Sequence, residues 1–141
     1  MFIINYFKAL ILAWNAHDGQ FDKAGKPYIY HPMRVSKGAI SKDGKIVGLL
    51  HDVLEDTDYT ESDMKFLSED QQEALRLLNH EKSVDYFEYV KALKANPIAR
   101  EVKLSDLADN MNLKRLNNPT EKDFERLEKY KKAREILLEN E

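Results

Sequence analysis

The chain contains no cysteine, which excludes disulfides and thiolate metal sites and leaves any metal to His, Asp, Glu or water. A cytoplasmic location fits that absence. Glycine and proline are few, five and four among 141 residues, so nothing here is collagen-like or low-complexity. Basic charge is never gathered into one run. The formal net charge is −3, and the Lys- and Arg-rich stretch from Lys122 to Arg134 alternates with Glu as on a solvated helix face. Nucleic acid is therefore not an expected partner. Long apolar runs are missing too: the longest, Ala9 to Trp14, falls far short of a bilayer span, and no membrane is expected. The apolar N-terminus lacks a basic start, is interrupted by Asn5 and Lys8, and has no small-residue cleavage site after it. It is read as a core helix rather than a signal peptide.

What is present is the composition of one globular domain, 43% hydrophobic and 33% charged over residues 1–141, long enough to bury a core. Val and Ile are scattered rather than alternating, and no strand hairpin, β-α-β unit or internal repeat emerges. The fold class is all-α, a compact bundle of about seven or eight helices. The first runs from Phe2 to His17 and stops at Asp18-Gly19. A polar loop leads to Pro27, and a second helix begins near Pro32. Ser41-Lys42-Asp43-Gly44 is a turn before a central helix from about Lys45. Thr60-Glu61-Ser62-Asp63 and Ser68-Glu69-Asp70-Gln71 read as helix starts, and another helix spans Ser83 to Lys94. Asn96-Pro97 opens a further one. Thr120 begins a final amphipathic helix to about residue 139. His80 falls in a polar break and reads as a surface residue.

The central run Ile46–Thr57 reads as one buried helix carrying His51, Asp52, Glu55 and Asp56. Residues three and four apart share a helix face, so an imidazole and three carboxylates crowd into two turns. Burying such charges without a partner costs several kcal/mol, and a divalent cation is the usual compensation. A solvated acidic helix end is the competing reading, but carboxylates at a helix C-terminus oppose its dipole. His31, alone, reads equally as a cap or a core histidine, and Lys103, Asp106 and Asn110, three and four apart, read equally as a salt-bridged surface strip. Together, His31, His51-Asp52 and Asp106 make a mixed nitrogen and oxygen donor set suited to Mn(II), Fe(II) or Zn(II). An open site of that kind suits hydrolysis of a phosphate ester.

The pattern H…HD…D resembles the HD metal-dependent phosphohydrolase superfamily. The longer run of motifs is Ala16-His17-Asp18-Gly19-Gln20, Pro27-Tyr28-Ile29-Tyr30-His31-Pro32, Leu49-Leu50-His51-Asp52-Val53-Leu54-Glu55-Asp56-Thr57 and Val102-Lys103-Leu104-Ser105-Asp106. In that order these resemble the hydrolase domain of the RelA/SpoT family and its stand-alone small alarmone hydrolases, over roughly residues 10–116. The resemblance implies an all-helical fold with one Mn(II) held by His31, His51, Asp52 and Asp106. It implies a small anionic nucleotide substrate, guanosine tetra- or pentaphosphate, losing its 3′-pyrophosphate. Glu55 and Asp56 would orient and activate the water, with Glu55 the preferred base. Lys23 and Asn110 match substrate-facing positions, and Tyr28 and Lys103 would shape the pocket. The chain departs from the family pattern at Asp22 and Leu107, where basic residues are usual. The alternatives are an HD hydrolase of another phosphorylated nucleotide or cofactor, and a catalytically silent nucleotide-binding module. No sequence feature sets the oligomeric state.

Overall fold

A computed structural model describes residues 1–139; the last two residues of the expected domain lie outside the described residues. Eight α-helices are found among them: α1 (Phe2–Ala16), α2 (Tyr30–Gly38), α3 (Lys42–Leu50), α4 (Val53–Asp56), α5 (Glu69–Leu78), α6 (Tyr86–Leu93), α7 (Pro97–Asn110) and α8 (Glu121–Leu138). No strand is formed among the described residues beyond one isolated bridge between Phe21 and Pro27. The helix starts follow local chemistry. Ser41 caps α3 by accepting the Gly44 N–H, Asn96 caps α7 by accepting the Ala99 N–H, and Ser68 and Thr120 form capping boxes with Gln71 and Asp123. Each side-chain oxygen satisfies an N–H that the helix leaves unpaired.

Several boundaries differ from the sequence expectation. The central helix starts at Lys42, because Ser41 is its cap. The second starts at Tyr30 rather than Pro32, which costs nothing, since proline in a first turn lacks an N–H that has no helical partner there. Thr60 opens only a 3-10 turn, Glu61–Met64, despite a complete capping box. Asp85, not Ser83, caps α6. The main correction is at His51-Asp52. The single helix expected over this run is broken into α3 and α4, with His51 ending one and Asp52 opening the other. Successive side chains on an unbroken helix diverge by about 100°. The break instead lets His51 Nε2 and Asp52 Oδ2 meet at 3.0 Å.

The core is built where α2, α3 and α7 pack together, with Val35, Val47, Leu50, Val102 and Leu107 fully buried. Gly48 matters here. A Cβ on it would lie 3.1 Å from the backbone N and Cα of Ser36, so α3 crosses α2 almost backbone to backbone. That crossing brings His51 beside His31. The α1 helix packs one face on the core, as expected, with Phe2, Tyr6, Leu10 and Leu12 set against it, but its opposite face is uncovered. Ala9 and Ala13 are buried, but Ile3, Phe7, Ile11 and Trp14 face outward. No helix among the described residues is long and apolar enough to cross a membrane.

Candidate metal centre and active site

Four side chains from three places in the fold converge: His31 in the first turn of α2, His51 and Asp52 at the α3–α4 break, and Asp106 in α7. His31 Nε2 lies 2.9 Å and His51 Nε2 3.3 Å from Asp106 Oδ1. Asp52 Oδ2 is 3.0 Å from His51 Nε2 and 3.7 Å from His31 Nε2. Donor atoms of His31, His51 and Asp52 all fall within 4.8 Å of one another. His51 Nδ1–H donates to the Gly48 carbonyl at 2.7 Å, which turns Nε2, buried and without a hydrogen-bond partner, into the cluster. That orientation, facing two carboxylates, fits a bound dication.

Electrostatics agree with that fit. Burial resists charge on both imidazoles, yet it is outweighed: Asp106 and Asp109 raise the His31 pKa, and Asp52 and Asp106 hold that of His51 well above its ordinary value. Burial likewise opposes ionisation of Asp52 and Asp106, but His51 brings Asp52 down to about 2, and Lys103 with His51 holds Asp106 far below the carboxylate range. The cup therefore attracts positive charge.

Each ligand candidate is held from behind. Tyr28 donates its hydroxyl to Asp52 Oδ2 at 2.5 Å; Lys103, buried against the rings of Tyr86 and Tyr89, donates to Asp106 Oδ2 at 2.9 Å; Asn110 Nδ2 donates to Asp106 Oδ1 at 3.1 Å. His31 Nδ1–H donates to Asp109 Oδ2 at 2.6 Å, and Asp109 is clasped by Arg34 at 2.7 and 3.1 Å with Arg115 at 3.3 Å. A carboxylate behind an imidazole fixes its tautomer and strengthens it as a ligand.

Glu55 and Asp56 stand at the mouth. Glu55 Oε1 accepts the backbone N–H of His80 at 2.9 Å. Partial burial, then the charges of Asp52 and Glu55, push the Asp56 carboxyl up to about 6. The cup opens into a cavity of about 230 Å³ that includes Glu55, Asp56, His80, Tyr86 and Lys129. Beside it lies a cleft of about 340 Å³ edged by Lys23, Arg34, Arg115 and Arg126, and Tyr28, His31, Asn110 and Tyr130 line both.

With this geometry in view, relatives can be compared. Over 77 residues the chain is 42% identical to a guanosine-3′,5′-bis(diphosphate) 3′-pyrophosphohydrolase of Borreliella burgdorferi, covering 52% of this chain and 11% of that protein. Over 64 residues it is 39% identical to the bifunctional (p)ppGpp synthase/hydrolase SpoT of Escherichia coli K12, covering 43% of this chain and 9% of that protein. The chain thus spans about a tenth of the length of these curated relatives. A solved metazoan ortholog of SpoT, described as hydrolysing ppGpp, superposes with a TM-score of 0.75 at 25% identity over 95% of this chain and 85% of that one. In sequence and fold the chain is similar to RelA/SpoT-type hydrolase domains. No family model matches it.

The structure revises several sequence readings. Leu107 is fully buried in the core and lines neither the cup nor the cleft. Asp22 turns into its own loop, where Oδ1 accepts the N–H groups of Ala24 and Lys26, both at 2.9 Å, and Gly25 closes the turn at φ +81. Lys23 edges the cleft, 56% exposed and 3.7 Å from Asp123. His80 is no bystander on the surface: it stacks on Tyr89 at 4.5 Å, and its N–H holds Glu55. The α8 charges are not all solvated, since Arg126 edges the cleft and Lys129 lies over the Tyr86 ring at 4.2 Å. Asp109 and Arg34 were missed by sequence reasoning. The one available signal was that Asp109 lies three residues past Asp106, a helical neighbour.

Proposed function

We propose that this HD domain hydrolyses the 3′-pyrophosphate of guanosine tetra- or pentaphosphate, with His31, His51, Asp52 and Asp106 holding one Mn(II) ion; the donor set also accommodates Fe(II) or Zn(II). The observation that carries this reading is the convergence of two imidazoles and two carboxylates beside a cleft edged by four cationic side chains. The relatives' activity supports the choice of substrate. When bound, such a cation lowers the pKa of water and polarises a phosphoryl oxygen.

The remaining work falls to the chain's own groups. Glu55, oriented by the His80 N–H, accepts a proton from the attacking water. Asp56, at the mouth of the cup beside Glu55, supplies one to the ribose 3′-oxygen. A bond forms between water oxygen and phosphorus, the bond from phosphorus to the 3′-oxygen breaks, and pyrophosphate leaves. Tyr28 and Lys103 keep Asp52 and Asp106 in place. Lys23, Arg115, Arg126 and Asn110 bind phosphate oxygens from the cleft side, where charge-assisted hydrogen bonds are strongest. The cysteine-free composition fits action in the cytoplasm.

The test is the purified protein with Mn(II) and a panel of nucleotides. Release of pyrophosphate from the tetraphosphate is expected. Inertness toward it alongside cleavage of another phosphate ester would move the assignment to a different HD hydrolase. Binding without turnover under every metal would make the domain a sensor.

A further inference from the structure

The α1 helix is apolar on both sides. Ala9 and Ala13 pack inward, while Ile3 (68% exposed), Phe7 (54%), Ile11 (60%) and Trp14 (55%) stand in one outward stripe with Ile4 beside them. Only a narrow polar strip, Asn5, Lys8 and Asn15, separates the two apolar faces, and an exposed apolar face of this width normally marks an interaction surface. The five side chains present roughly 600 Å² of apolar surface, at the top of what a monomer leaves uncovered. The one charged residue of α1, Lys8, lies to the side, its ammonium 5.9 Å from the Phe66 ring, so no charge interrupts the stripe.

We propose that this stripe is a self-association surface, on which α1 pairs with α1 of a second copy about a two-fold axis. Two such faces bury roughly 1,200 Å², the lower bound of a specific interface. A two-fold axis sets each patch against itself, and a stripe without charge meets its own copy without repulsion. A lipid surface fits less well, because helices that lie on bilayers carry a strongly cationic polar face, and the polar strip of α1, Asn5, Lys8 and Asn15, holds a single cation. The pairing leaves the metal cup and its cleft uncovered, since none of the stripe residues lines either cavity.

Sedimentation equilibrium of the full chain tests this. At concentrations on the order of 10–100 µM the expected mass is twice the 16.5 kDa of one chain. Trp14, the sole tryptophan, reports independently: its emission shifts to the red as dilution separates the copies. Phe7→Glu and Ile11→Glu, each on an outward position, should raise the dissociation constant at least about tenfold with the helical circular dichroism unchanged. A wild-type chain that stays at single mass throughout overturns the proposal. So does a dimer indifferent to both substitutions, which would use another face, and so does a single-mass chain that co-floats with phosphatidylcholine/phosphatidylserine vesicles.

Discussion

Asp109→Asn isolates the brace behind His31. The amide keeps the size of the side chain and can still accept one hydrogen bond, but it no longer offers an anion to His31, Arg34 and Arg115. In the native chain burial favours the neutral acid, yet the hydrogen bonds from His31 and Arg34 outweigh it and pull Asp109 from 3.8 to about 2. At about 1.4 kcal/mol per pKa unit this is worth about 2 kcal/mol. Partial solvent contact reduces the expected loss of stability at neutral pH to about 1–2 kcal/mol. The pKa is depressed, so the contribution is complete above the ordinary carboxylate range and vanishes as pH falls toward about 2. Urea unfolding of both proteins in EDTA should therefore show a gap that is full near pH 5, where His31 is protonated, and narrows near pH 3. Metal binding is the second readout. Loss of a carboxylate behind a ligating imidazole typically costs about 10–100-fold in affinity, measurable by competition with a chromogenic chelator. Unchanged Mn(II) affinity, or a stability gap that widens at low pH, would refute the role assigned to Asp109.

Other expectations follow from the same geometry. Asp106→Ala should abolish metal loading and, by leaving the buried Lys103 ammonium unpaired, cost about 3–5 kcal/mol in thermal unfolding; retained loading would remove Asp106 from the ligand set. Glu55→Gln and Asp56→Asn should each lower turnover by about 10²–10⁴-fold with Mn(II) affinity intact, and a parallel loss of metal would make them ligands instead. Both imidazoles have raised pKa values in the metal-free chain, so metal must displace their protons. Affinity should fall as pH drops, and calorimetry in buffers of different ionisation enthalpy should detect proton release. Gly48→Ala should destabilise by about 1–3 kcal/mol despite a better helix propensity, because its methyl meets the Ser36 backbone at 3.1 Å; unaltered thermal stability would contradict that close crossing.

Features written in short range were legible in the sequence. Ser68, Asn96 and Thr120 announce their helices because a cap and the N–H it accepts lie within three residues. His31, His51, Asp52 and Asp106 were legible as a set because metal donors are few in kind and the motif spacing is distinctive. The break at His51-Asp52 was not legible: the apolar pattern runs through it, and what ends the helix is a histidine folding back onto the Gly48 carbonyl. Asp109 looked like one more acidic residue, since the imidazole it orients is 78 positions away. The uncovered face of α1 was not legible because apolar residues on both sides give no hint of which side the core takes.

The Gly48 crossing has an evolutionary corollary. Three of the four donors sit on or beside α2 and α3, which meet backbone to backbone, whereas two walls of the neighbouring cleft are residues 21–24 and the inner face of α8. Those two walls can be rewritten without loosening the cup. A lineage could exchange one ligand for another by editing them alone, inheriting the His-Asp cup untouched.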